Sequence, residues 1–179
     1  MEQKVVLVDE HDSEIGLEDK LKAHQNGGKL HRAISVFIFN SKGELMMQQR
    51  ALSKYHGAGL WSSTTCSHPF PGEKPLDAAH RRLREEMGFD CDLKELCSFI
   101  YKASMENGLT EHEYDHYFVG VYDGVPKINK EEANDWKWMS IKEINKRIKE
   151  DKSQFTAFFL AFYDRVINEA KKAGIKLSE

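Results

Sequence analysis

The sequence predicts an α/β (α+β) fold: a mixed β-sheet core flanked by helices, in a single compact domain over residues 1–179. Three observations predict it. Short runs rich in β-branched and aromatic residues alternate irregularly with stretches of helical periodicity. Several runs are joined by tight polar turns, which implies hairpins within a mixed sheet. No repeat, low-complexity tract or linker divides the chain, and its length suits one core on the usual ~100–200 residues per domain.

Val5–Val8 reads as a short strand, and Asp9–Gly16 as a polar turn. Leu17–His24 has mixed polarity and fits a helical turn or a loop. Gly27-Gly28 breaks the chain before His31–Phe39, a β-branched and aromatic strand. The turn Asn40–Gly43 returns it along Glu44–Arg50 as a hairpin, and Ala51–Gly59 is a polar loop. Trp61–Thr65 fits one more strand; Pro69, Pro71 and Gly72 then forbid regular structure, placing Cys66 and His68 at a strand end or on a loop.

Pro75 suits the first position of a helix in which Leu76, Ala79, Leu83 and Met87 form an apolar stripe, stopped by Gly88. On that wheel Arg82 and Glu86 share one edge of the stripe, while Arg81 and Glu85 point away. Leu96–Ala103 and Glu113–Tyr122 read as strands around a turn at Met105–Leu109, and Trp136–Met139 as a short strand. Ser140 with Glu143 is a capping box. A last helix from about Ser153 to Lys172 carries Phe155, Phe158, Phe159, Phe162 and Val166 on one face, a stripe that ordinarily packs in a core.

At 40% hydrophobic and 31% charged residues the composition is that of a soluble globular protein. A net charge of −3 gives no reason to expect a nucleic-acid partner, which normally needs a clustered basic surface. No run reaches the ~18 apolar residues of a membrane span, and Met1–Val5 does not open a signal peptide. Three cysteines are too few for a secreted disulfide framework, so the expected compartment is the cytoplasm.

Neutral imidazole is the commonest protein ligand for a metal near neutral pH. His24 and His31 flank the Gly27-Gly28 break, and His68 follows Cys66. Glu111 and Glu113 stand at i and i+2, so on a strand both carboxylates face one side. Three nitrogens with two carboxylates suit Mn²⁺, Mg²⁺ or Zn²⁺. Spacing alone does not separate this set from unrelated histidines, of which the chain has eight in all. Cys91 and Cys97 read as inert buried thiols. Cys66, outside a packed strand and beside His68, reads equally as such an inert thiol or as one that a nearby cation or metal gives a lowered pKa and lets exchange protons. Lys20, Lys22, Arg50 and Lys54 bracket the same segments, and a diphosphate needs several such charges converging on it. No flavin or nicotinamide fingerprint is visible.

These motifs together resemble the type 1 isopentenyl-diphosphate isomerase family of the Nudix superfamily. The Nudix box, Gly-x5-Glu-x7-Arg-Glu-Ψ-x-Glu-Glu-x-Gly-Ψ with Ψ bulky and apolar, matches at Glu73, Arg81, Leu83, Glu85, Glu86, Gly88 and Phe89. It departs at Ser67, where the box has Gly, and at Arg82, where hydrolases carry a glutamate that gathers Mg²⁺. Cys66-Ser67-His68-Pro69, His24-x6-His31, Arg50-Ala-Leu-Ser-Lys54 and Glu111-x-Glu113 follow the isomerases, over roughly Lys20–Trp138.

The resemblance implies a Nudix-type sheet and a reversible shift of a double bond between isopentenyl and dimethylallyl diphosphate, in isoprenoid biosynthesis. It implies that His24, His31, His68, Glu111 and Glu113 hold one divalent metal. Cys66 and Glu113 would be the acid/base pair on opposite faces of the double bond, with Tyr101 beside Glu113. Lys20, Arg50, Lys54 and Arg82 would hold the diphosphate, Glu86 a substrate-bound Mg²⁺, and Phe158 would stand where the family has a carbocation-shielding tryptophan. The partner is then a small-molecule diphosphate, and the chain a monomer or weak dimer needing neither flavin nor nicotinamide. The alternatives are a Nudix hydrolase of a diphosphate, which the loss of the box glutamate at Arg82 disfavours, and a Nudix-fold binding module, which would need neither the thiol nor the metal ligands.

Overall fold

The structure is a computed structural model that describes residues 4–178. The ends of the expected domain, 1–3 and 179, lie outside the described residues, as does the start of the Met1–Val5 segment. The strands are β1 (Lys4–Val8), β2 (Glu14–Asp19), β3 (His31–Phe39), β4 (Leu45–Arg50), β5 (Trp61–Ser62), β6 (Thr65–Ser67), β7 (Leu93–Ser104), β8 (Thr110–Val121) and β9 (Ala133–Met139). The helices are α1 (Lys20–His24), α2 (Pro75–Arg82), α3 (Ile141–Glu150) and α4 (Ala157–Lys172).

β3 is the axis of the mixed sheet. One of its edges pairs in parallel with β8 over its whole length, from His31↔Glu113 to Phe39↔Val121. Its other edge is shared by β1 at the start, β6 in the middle and β4 at the end. β7 extends the sheet beyond β8, and β5 and β9 flank β4. A strand covered on both faces must be apolar on both. Ile34, Val36 and Ile38 accordingly meet Ala79 and Leu83 in one core, while Phe37 and Phe39 meet Phe159 and Phe162 in another. The site is built at the end of the sheet where β3 and β8 begin.

α2 starts at Pro75 and closes in one π-type turn, Leu83–Met87. Gly88 ends it in the left-handed region at φ 71°, and a Cβ there would lie 2.3 Å from the Lys127 carbonyl oxygen. Only glycine fits. α4 is capped by Thr156, whose hydroxyl accepts from the Phe159 amide at 3.3 Å.

Several boundaries differ from those the sequence predicts. The polar turn is only Asp9–Ser13, held by the Asp9 carboxylate accepting from the His11 and Ser13 amides, each at 2.9 Å. The chain then forms β2, an edge strand exposed enough to need no apolar alternation. Leu17–His24 is therefore part strand and part helix, with Asp19 capping α1. Trp61–Thr65 is not one strand: β5 and β6 are separated by a bend, and Cys66 lies within β6, paired with Ser35. β7, β8 and β9 each begin three residues before the expected start. α4 begins at Ala157, because Lys152–Gln154 forms a separate 3-10 turn, so Phe155 stacks on Phe159 from outside the helix. Among the described residues no helix is long and apolar enough to cross a membrane.

Candidate active site and metal centre

Five of the anticipated residues converge although they come from four parts of the chain. His24 ends α1, His31 begins β3, His68 follows β6, and Glu111 and Glu113 share one face of β8. One donor atom from each lies within 4.8 Å of all the others, and all five residues are buried. Backbone carbonyls aim the rings: His24 Nδ1 meets Lys20 O at 2.6 Å and His31 Nδ1 meets Lys29 O at 2.8 Å. With the proton on Nδ1, each Nε2 presents its lone pair to the centre.

The interior of the cluster fits a cation better than a hydrogen-bond network. His31 Nε2 and His68 Nε2 face each other at 3.1 Å, and His68 Nε2 lies 2.9 Å from Glu113 Oε1. His24 Nε2 lies 2.8 Å from Glu111 Oε2, yet neither atom has hydrogen-bond geometry to a partner. Neighbouring ligands ~2.1 Å from one ion at right angles would be ~3 Å apart. Burial, and then the Lys20 ammonium, hold His68 well below the ordinary histidine pKa, so its ring is neutral. Burial also pulls His24 down, but the Glu111 carboxylate outweighs it and raises the pKa. A metal cation would satisfy these donors.

Glu113 also reaches out of the cluster. Tyr101 OH donates to Glu113 Oε2 at 2.5 Å. Burial, and then the Glu113 charge, raise the Tyr101 pKa well above the ordinary phenol value, so the phenol keeps its proton. Burial pushes Glu113 up, but His31 and Tyr101 outweigh that and hold it below the usual carboxylate value. On the opposite edge of β3, Cys66 Sγ lies 3.0 Å from Ser63 Oγ and 3.3 Å from Ser35 Oγ. Burial, then the neighbouring Asp115, push the thiol pKa up to about 12. The value is raised, not lowered: burial and the Asp115 charge outweigh the serine hydroxyls, and the thiol stays protonated. Cys91 and Cys97 are part-buried rather than buried, and burial raises both to about 11.

Cys66, Tyr101, Glu111 and Glu113 line one cleft with Lys20, Arg50, Lys54 and Arg82. Lys20 begins α1 and its pKa is lowered, chiefly by burial. Arg50 ends β4, donates to the His56 carbonyl at 3.1 Å and lies 5.5 Å from the Phe158 ring centre. Phe158 forms part of the cleft wall. Arg82 is enclosed by carboxylates: Glu86 Oε1 at 2.8 Å, Glu85 Oε2 at 2.8 Å and Glu132 Oε2 at 3.1 Å. Glu86 is buried and also accepts from Gln48 Nε2 at 2.7 Å.

The helical wheel placed Arg82 and Glu86 together, as found, but not Arg81. Arg81 turns back to form a paired contact with Glu73 at 2.7 and 2.8 Å beneath the Phe70 ring. That pair fastens the loop after His68 to α2, so these two box positions are structural. Glu85 is more exposed and bridges Arg81 and Arg82. Ser67, in place of the box glycine, sits in β6 with no positive φ.

Sequence reasoning missed four residues of the cleft: Gln48, Tyr55, His56 and Glu132. Tyr55 and His56 lie in the polar loop directly after Arg50-Ala-Leu-Ser-Lys54, and their nearness to that motif was the available signal. Burial, then the Arg50 charge, lower His56 to about 4, so its ring is neutral. Nothing in the sequence pointed to Glu132, which is 78 positions from its partner Lys54.

The NUDIX domain family matches residues 29–159. Isopentenyl-diphosphate Delta-isomerase 2 of Aromatoleum aromaticum is 51% identical over 94% of this chain and 88% of that protein. Isopentenyl-diphosphate Delta-isomerase of Pectobacterium atrosepticum is 50% identical over 91% of this chain and 90% of its own. Among solved structures, a Deinococcus radiodurans protein superposes with a TM-score of 0.70 at 19% identity, over 83% of this chain and 90% of that one. A MutT protein from Methanosarcina mazei gives 0.63 at 19%, over 79% and 96%. These two establish the fold, and the sequence relatives establish the family. The chain belongs to the NUDIX-domain superfamily and, within it, to the type 1 isopentenyl-diphosphate Delta-isomerases.

Proposed function

We propose that this chain interconverts isopentenyl and dimethylallyl diphosphate in isoprenoid biosynthesis, acting in the cytoplasm as a monomer or weak dimer. The observation that carries the reading is the cleft itself. A protonated thiol on β6 and a tyrosine-bound carboxylate on β8 flank β3, with four cationic side chains in the same cavity.

The reaction adds a proton to one end of an allylic unit and removes one from the other. In the forward direction the terminal alkene carbon gains a proton, a tertiary carbocation forms, and the carbon nearer the diphosphate loses one. The diphosphate stays intact and there is no net redox change, so neither flavin nor nicotinamide is required. Cys66 and Glu113 are the proton donor and acceptor on the two faces. Tyr101 keeps a hydrogen at Glu113 Oε2, ready to follow the carboxylate as its charge changes. The buried setting keeps water from the cation, and Phe158 offers it a π face, weaker than that of tryptophan.

Lys20, Arg50, Lys54 and Arg82 hold the diphosphate, and Glu86 would hold a Mg²⁺ carried with it. His24, His31, His68, Glu111 and Glu113 would hold Mg²⁺, Mn²⁺ or Zn²⁺. When bound, that ion supplies positive charge that fixes and tunes the Glu113 carboxylate.

Hydrolysis is the poorer reading. Where a hydrolase gathers Mg²⁺ with a glutamate, Arg82 donates to three carboxylates. Incubation with isopentenyl diphosphate and Mg²⁺, followed by ³¹P and ¹H NMR, should give dimethylallyl diphosphate with both phosphorus signals retained. Release of inorganic phosphate without isomer would contradict it.

A further inference from the structure

Glu132 is a carboxylate fixed among the cations of the cleft. Its carbonyl accepts from the Ala51 amide at 3.0 Å and its own amide donates to Asn129 O at 2.9 Å. The next residue, Ala133, opens β9 opposite Arg50. Its side chain thus leaves from the rigid start of a strand. Glu132 Oε2 accepts from Lys54 Nζ at 2.5 Å and from Arg82 Nη2 at 3.1 Å. All three side chains are at most a quarter exposed, so solvent screens these contacts only in part. Burial works against the Glu132 charge, yet Lys54 and Arg82 hold its pKa below the usual value, so it is an anion at neutral pH.

A carboxylate oxygen and a phosphoryl oxygen seek the same N–H donors. Two of the four cations assigned above to the diphosphate are therefore already engaged by an anion of the protein. We propose that Glu132 is an internal competitor for the diphosphate, engaging Lys54 and Arg82 until a diphosphate binds and then giving up part of those contacts. The inference rests on the reading of these cations as the diphosphate cradle. Its consequence is a specificity-determining one. An anion must replace a carboxylate as well as attract the cations, which disfavours weakly charged phosphate species and keeps substrate and product from binding too tightly. The diphosphate is common to both, so this control falls on binding rather than on proton transfer.

The sign separates this role from simple positioning. Removing a charge beside two cations raises the potential they offer an incoming anion. Loss of a residue that merely ordered Lys54 and Arg82 would weaken binding instead. The test is calorimetric titration of the full chain with inorganic diphosphate at fixed ionic strength. Glu132→Gln should bind about tenfold more tightly than the wild type, with a parallel fall in KM for isopentenyl diphosphate. Glu132→Asp, which keeps the charge on a shorter arm, should fall between the two, and it decides the matter if the Gln variant does not fold. Equal or weaker binding by the folded variants, with the wild type still binding, would overturn the inference and leave the cradle assignment standing. A wild type that does not bind inorganic diphosphate, with Arg50→Ala indistinguishable from it, would overturn the cradle and the inference with it.

Discussion

Cys66 Sγ lies within 3.3 Å of two serine hydroxyls, and its pKa is pushed up to about 12. On the proposed reading this thiol contributes as a proton donor or acceptor rather than as packing volume. Cys66→Ala should lower kcat by ~10²–10⁴-fold while the melting temperature moves by no more than a few degrees; a loss of cooperative unfolding would make the thiol structural. His56 gives a pH prediction. Its folded pKa of about 4 lies below the ordinary histidine value, so the unfolded chain binds more protons between the two. Stability from this group is present above pH ~6.5 and is lost as pH falls through about 4, a contribution of ~3 kcal/mol at most. Melting temperatures recorded from pH 7 to 4 should fall less steeply for His56→Phe than for the wild type, and equal slopes would refute it.

At the scale of elements, the strongest constraint is the end of α2. Gly88 combines a left-handed φ with a backbone carbonyl where a side chain would go. Gly88→Ala should cost at least ~1–3 kcal/mol in urea unfolding; a neutral result would mean that the Lys127 segment moves aside. The elements also explain what was legible in the chain. Glu111 and Glu113 could be placed on one face because strand alternation is local, and Pro75 and Gly88 bracketed the α2 turn because both act through their own backbone. β2 was hidden because an edge strand needs no apolar face. The break between β5 and β6 was hidden because it arises from β6 pairing with β3 and β5 with β4. Glu132 could not be placed, since it depends on where the β4–β9 register brings distant segments together. His56 had only its nearness to the Arg50 motif, its contact with the Phe158 ring of α4 being non-local.

For the whole molecule, an ion held by the His24–His31–His68–Glu111–Glu113 cluster would be a fastening as well as part of the site. Its ligands join α1, β3, the loop after β6 and β8, so an ion that binds the folded state alone stabilises all four together. Restoring Mn²⁺, Zn²⁺ or Mg²⁺ to chelated protein at about 100 times its Kd should raise the melting temperature by ~5–10 °C. His24→Ala should abolish most of that rise, whereas an equal rise would place the ion elsewhere.

On the proposed reading, protons are exchanged on an intact diphosphate between the Cys66 and Glu113 sides of one cleft. The direct measurement is incubation with isopentenyl diphosphate and Mg²⁺ in D₂O, without flavin, read by ²H and ¹H NMR. Deuterium should enter a methyl group of dimethylallyl diphosphate and, on prolonged reversal, the carbon next to the carbinol of isopentenyl diphosphate. Dimethylallyl diphosphate free of deuterium, or no isomer at all from folded, metal-loaded protein, would contradict it.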